Sequence, residues 1–279
     1  MDLHGTENCI HLFSYPELKH LKSIGKMGNG PGEVLDSENI RFDSQNNLWL
    51  LDANQKKLIS IQEKIQKQIA LEGRLIRTLD FDLVNDSLFV VPDYTGKNRY
   101  ILVNQLGIVV KSVGSIPIRK KPTMPDITTA QAWRSFIDYN PNNGILAVAT
   151  QLGEALEVYN LAHDSLIYTH YGHEGAPKYF VRDGVAIPNG IMGYSDVHVG
   201  DKFIYALFWG SRIEDVKRGK IKKEGGDQIH IFDLKGVLVK KYKLDRFVSG
   251  FCIDEVKRCL LALDVNSDQP LMEYSMKKN

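Results

Sequence analysis

The sequence predicts an all-β protein on a six-bladed β-propeller plan with an incomplete N-terminal blade. Three observations carry that reading. Short apolar strands alternate with Asn, Asp and Gly clusters, helical periodicity is almost missing, and a four-strand unit recurs along the chain. With 279 residues, 43% of them hydrophobic and 25% charged, the chain can bury a large core without disulfide or metal staples, and a disordered chain is excluded.

The third strand of the unit is its most legible part. It occurs six times, as CIHLFS (9–14), KLISIQ (57–62), RYILVN (99–104), ALEVYN (155–160), QIHIFD (228–233) and PLMEYS (270–275). Second strands precede it at LWLLD (48–52), SLFVV (87–91), ILAVAT (145–150), FIYALF (203–208) and LLALD (260–264). First strands are expected at NIRFD (39–43), IRTLDFD (76–82), RSFIDY (134–139), YSDVHV (194–199) and VSGFCID (248–254). Fourth strands end at Gly25, Gly114 and Gly172. Four antiparallel strands per unit is the make-up of a propeller blade, and a β-sandwich does not repeat such a unit. Residues 39–279 account for five blades and residues 1–25 for the outer two strands of an incomplete one, within a single domain spanning 1–279. Met1-Asp2 aligns with Leu51-Asp52, so the sequence is expected to open inside a blade, as a shortened version of an exported protein.

Lys plus Arg number 35 against 34 Asp plus Glu, a balance without the basic excess of a nucleic-acid binder. The run 217–223, rich in Lys and Arg, reads as a solvated loop. No apolar run reaches the length of a transmembrane segment, and the first residues lack the pattern of a signal peptide. Cys9, Cys252 and Cys259 fit no zinc spacing; buried free thiols are the simpler reading, with a Cys252–Cys259 bridge as the alternative.

GKMGNGPGEV (25–34), followed by a strand and NNLWLLD, resembles the Gly-x-Gly-Pro-Gly-Glu signature of TolB-like six-bladed propellers, relatives of NHL-repeat proteins. Residues 229–245 and 251–265 are similar to late blades of that family. The resemblance implies a bacterial cell-envelope protein, periplasmic or lipoprotein, and brings no settled catalytic residues with it.

The glycine run is no phosphate loop, because Pro31 and Glu33 replace the Lys and Ser/Thr and a strand follows instead of a helix. His163, His170 and His173 cluster without a third ligand at a zinc spacing, and read as surface or loop-packing residues. Asp52, Asp93 and Asp264 are read as ending second strands. They are expected to accept turn N–H groups; the alternative is a channel-bound calcium ion, and no other cofactor is expected. No Gly-x-Ser-x-Gly elbow occurs.

Three insertions exceed ordinary blade loops: 115–133, 173–193 and 210–227. Two join a fourth strand to the next first strand, and one joins a second to a third. In a propeller these connection types emerge on one face, at the channel mouth, where binding is expected. Arg119, Trp133, Tyr179, Arg182, Trp209 and Arg212 are the candidate ligand-binding residues, suited to protein, peptide or glycan partners. The expected function is noncatalytic binding or scaffolding; the alternative is a lyase or hydrolase using a cation held by the aspartates.

Overall fold

The computed structural model describes residues 7–276 except 31, 63, 74, 119–125, 221–224 and 266. The chain forms two compact units, residues 1–93 with 100–112, and residues 94–99 with 113–279.

In the first unit β1 (Asn8–Phe13) pairs with β2 (His20–Lys26) as a two-stranded sheet. A four-stranded antiparallel sheet follows, of β3 (Ser37–Phe42), β4 (Leu48–Asp52), β5 (Lys57–Ile61) and β6 (Ile65–Ala70). The next comprises β7 (Asp82–Asn85), β8 (Leu88–Pro92), β9 (Tyr100–Asn104) and β10 (Val109–Val113). β4 is buried along its whole length, and its period-2 geometry explains why. Leu48 and Leu50 pack with Cys9, Ile10 and Ile59, toward β1–β2. Trp49 and Leu51 pack with Phe81, Phe89 and Val103, toward β7–β10. One strand thus serves two sheet-on-sheet interfaces.

The second unit repeats the arrangement. A short helix, α1 (Asp126–Ala132), precedes the sheet of β11 (Ser135–Asn140), β12 (Ile145–Thr150), β13 (Ala155–Asn160) and β14 (Ser165–Tyr171). A separate hairpin of β15 (Tyr179–Arg182) and β16 (Val185–Pro188) comes next. The following sheet holds β17 (Tyr194–Val199), β18 (Phe203–Phe208), β19 (Gly226–Asp233) and β20 (Leu238–Val248), with α2 (Ile213–Lys217) between β18 and β19. The last has three strands, β21 (Gly250–Asp254), β22 (Cys259–Leu263) and β23 (Leu271–Ser275). Along β18, Ile204, Ala206 and Phe208 pack toward β11–β14. Tyr205 and Leu207 pack with Leu260 and Ala262, toward β21–β23.

Among the described residues the fold is an all-β propeller with five blades, the sheets of three or four strands; six blades were expected. β1–β2 is a two-stranded sheet at the place expected of outer strands. Two first strands are displaced from expectation. β7 starts at Asp82 and not Ile76, and β20 runs to Val248, into the segment expected to open the last blade. All three cysteines are free thiols, but Cys252 is exposed, because it lies on β21 opposite Leu261 with its side chain away from the core.

Candidate functional site

The Gly-rich signature explains itself in the first unit. Glu33 turns back over the loop, where its carboxylate accepts the Gly30 N–H at 2.8 Å and pairs with Lys26 at 2.5 Å. A Cβ on Gly28, whose φ is +152°, would lie 2.1 Å from a Glu33 oxygen. The loop's backbone donors therefore already hold an anion of their own, and both Lys26 and the Gly30 N–H keep the Glu33 carboxyl below its usual range. Asp52 is fully buried, and its two carboxylate oxygens accept the Leu35 and Gln55 N–H groups at 2.7 and 2.9 Å. Asp93 and Asp264 are buried as well. Among the described residues no three His, Cys, Asp or Glu side chains group as metal ligands.

In the second unit the three insertions meet. Thr128 of α1 donates to Gly184 O in the β15–β16 turn at 2.7 Å, and the Tyr179 hydroxyl lies 3.4 Å from Thr129. Past the hairpin, Ile213 N–H of α2 donates to Gly190 O, and Met192 N–H to Ser211 O. Loops that the sequence separates by tens of residues are tied by side-chain and backbone hydrogen bonds into one shelf.

At one end of the shelf is a cleft of about 560 Å³, lined by Gly96, Lys97, Ser115, Ile116, Ile118, Asp126 and Thr129. It lies where the second-to-third-strand loop 93–99 meets the fourth-to-first connection, the two connection types expected to share a face. Gly96 makes the junction possible. Its φ is +90°, and a Cβ there would sit 2.3 Å from the Asp126 carbonyl carbon. Lys97 and Asp126 are exposed, with opposite charges, beside the aliphatic Ile116 and Ile118.

Beneath the same loops lies a closed ionic network. Arg99 is 1% exposed; its Nε donates to Glu157 at 2.8 Å, Nη1 to Trp133 O at 2.9 Å and Nη2 to Ser135 Oγ at 2.5 Å. Tyr159 donates to the other Glu157 oxygen at 2.7 Å. Burial raises the Glu157 carboxyl against the opposing pull of the Arg99 charge. The Tyr94 hydroxyl donates to Ser135 O and accepts from Ser135 N–H. Trp133 belongs to this layer, 2% exposed with the Arg99 guanidinium 5.9 Å over its ring. It was expected to face a ligand; ending α1 on its packed side, it supports the shelf from below.

A second buried group, between β11–β14 and β17–β20, was not foreseen. His230 is fully buried, with Nδ1 3.2 Å from the Tyr194 hydroxyl and 3.8 Å from Glu154. It stacks on Phe208 at 4.6 Å, while His170 meets Phe232 edge-on. Lys241 reaches the Glu154 carboxylate at 3.1 Å. The Nε2 atoms of both histidines are shielded without a hydrogen-bond partner. Desolvation, then Lys241 and His170, pushes His230 down to about 3, and desolvation lowers His170 too. Tyr194 is raised well above its usual value by burial. Both imidazoles are neutral near pH 7, so the group is held together by Glu154 and Lys241.

Of the other expected ligand residues, Tyr179 is half-buried and Arg182 and Arg212 are exposed. The Arg212 guanidinium makes no ion pair among the described residues. Trp209 is half-buried, with its indole N–H shielded and unpaired. Arg119 lies outside the described residues. Tyr179, Arg182 and Arg212 lie on the connected insertions, and Trp209 immediately precedes the third. Lys97 and Asp126 are not among the expected ligand residues, although the YTGKN loop between the second-strand word SLFVV and the third-strand word RYILVN is a signal for the first of them.

Repeated antiparallel blades with elaborated loops define a propeller scaffold. The model of the TolB-like 6-blade propeller-like family matches residues 1–256, and the chain belongs to that family. No curated protein matches the chain. A computationally designed protein, Ika8, is similar in fold with a TM-score of 0.51 at 9% identity, over 97% of this chain and 66% of that one. A protein of unknown function from Bacteroides caccae is similar with a TM-score of 0.54 at 12% identity, over 84% of this chain and 76% of its own. Among the described residues no helix is long and apolar enough to cross a membrane.

Proposed function

We propose that this protein is a noncatalytic binding or scaffold propeller of the bacterial cell envelope, engaging a protein, peptide or glycan through the shelf of insertions. A single propeller domain accompanies this reading, as do Arg182, Trp209 and Arg212 as contact residues beside Lys97 and Asp126. The observation that carries it is the joining of three separate insertions by side-chain and backbone hydrogen bonds over a buried ionic floor. Rigid support under elaborated loops is how binding surfaces are pre-organised. The envelope location follows from the family.

The test is capture from an envelope extract by wild type, by Lys97→Glu and by Arg212→Ala. Both side chains are exposed and lack ion-pair partners among the described residues, so both variants should melt like wild type. The expected result is a defined set of proteins or glycans retained by wild type and lost by both variants. Identical capture by all three overturns the reading. A stoichiometric cation that raises the melting temperature, with turnover of a substrate, would establish the lyase or hydrolase instead.

A further inference from the structure

The hairpin β15–β16 has two unlike faces. Tyr179 and Ala186 point inward and pack with Trp133, Ala132 and Ala155. On the opposite face the sequence Lys178, Phe180, Arg182 runs along β15, by the two-residue period of a strand. Phe180 is 49% exposed, and so is Val185, which stands opposite Arg182. The turn is Asp183-Gly184 with φ of +52° and +77°, the pattern of a tight two-residue hairpin, and Thr128 clamps it to α1.

The two edges of the hairpin also differ. Asn189 N–H donates to Lys178 O, and register then pairs Phe180 with Ile187 and Arg182 with Val185. Alternation along an antiparallel ladder turns the N–H and C=O groups of Tyr179 and Val181 away from β16. Among the described residues these outward groups have no hydrogen-bond partner. The β16 edge offers less, because Pro188 has no N–H and α1 clamps that side of the turn.

An open edge with an exposed cation–aromatic–cation stripe is a template for one more strand. We propose that β15 accepts an extended segment of a partner protein by strand addition. The segment would carry carboxylates two residues before and two residues after an apolar residue, all on one face. Its backbone would pair with Tyr179 and Val181, its apolar side chain would cover Phe180, and its carboxylates would meet Lys178 and Arg182. Those cations now hold only exposed pairs, to Glu174 at 3.4 Å and Asp183 at 3.8 Å, which are weak and readily exchanged. The pattern is symmetric, so it fits in either strand direction. This inference rests on the binding reading above, and names the partner chemistry for one part of the shelf.

The probe is a labelled peptide, TETVTET, titrated against the whole protein by fluorescence anisotropy. The control, TTEVETT, has the same composition but puts both carboxylates on the face opposite the valine. The expected preference for the first is at least about tenfold. Val181→Pro removes one outward donor at a position where an edge strand tolerates proline, and should weaken binding by about tenfold while leaving the melting curve near wild type. Lys178→Glu with Arg182→Glu should reverse the preference in favour of TRTVTRT. Equal binding of the two acidic peptides, undiminished binding by Val181→Pro, or no binding of either peptide overturns the proposal. If Lys97→Glu and Arg212→Ala still abolish capture, the shelf reading survives that failure.

Discussion

Two buried ionic groups in the second unit answer the same desolvation problem differently. Around Arg99 and Glu157, three guanidinium nitrogens and both carboxylate oxygens have partners within about hydrogen-bond reach, all inside the protein. Around Glu154, the cation is Lys241, whose side chain is 43% exposed, and two imidazole nitrogens are left without partners. The first group is closed and independent of solvent. The second leans on water at one end and on neutral histidines at the other. A buried network gains rigidity only when every member is satisfied, so the Arg99 group is the floor of the shelf and the Glu154 group is its pH-sensitive flank.

The largest expected effect separates the two directly. Glu157→Ala leaves the Arg99 charge buried and unpaired, and should cost about 3–5 kcal/mol in chemical denaturation. Glu154→Ala should cost less, because Lys241 can turn to water. Equal losses would break the comparison.

Acid sharpens it from the other side. His230 titrates near 6.5 when unfolded and at about 3 when folded. The unfolded chain therefore binds the extra proton first, and stability present above pH 6.5 drains away as pH falls toward 3, at up to about 1.4 kcal/mol per pH unit. His170 is lowered in the same direction. His230→Phe should flatten that slope, measured as melting temperature against pH; an unchanged slope would assign the acid sensitivity elsewhere.

Two smaller effects test the loops. Gly96→Ala forces an L residue into φ +90° against the Asp126 carbonyl, with an expected loss of about 1–3 kcal/mol and a displaced α1. That displacement should appear as chemical-shift changes around Lys97 and Thr129. Glu33→Ala, at an exposed loop of the first unit, should shift the melting temperature least of all. A larger loss there than for Gly96→Ala would mean that the signature loop carries structure beyond its own turn.

Much of the blade pattern was legible because a doubly buried strand leaves an unmistakable apolar run, as in LWLLD and FIYALF. The first strands were harder. IRTLDFD reads as a strand, yet Asp80 instead accepts Arg41 and Asn39 side chains and the regular ladder begins at Asp82. The hairpin inside the second insertion has a readable sign, Asp183-Gly184 between YFVR and VAIP. Among the candidate ligand residues, Trp133 was misplaced because an aromatic in a long loop looks like a contact residue until its guanidinium partner is seen. The Glu154 group was illegible for a different reason. Its members come from β14, β17, β19 and β20 and from the residue before β13, and no spacing along the chain announces that they converge.

The alternation in β4 and β18 has a consequence for how the molecule assembles. Each of these strands presents consecutive residues to two different neighbouring sheets. A slip of one residue would exchange the two sets of side chains and misfit both interfaces together. A sheet that forms in the wrong register thus finds no compensation on either flank. Correct register in one sheet instead presents the side chains that fit correct register in the next, within each unit.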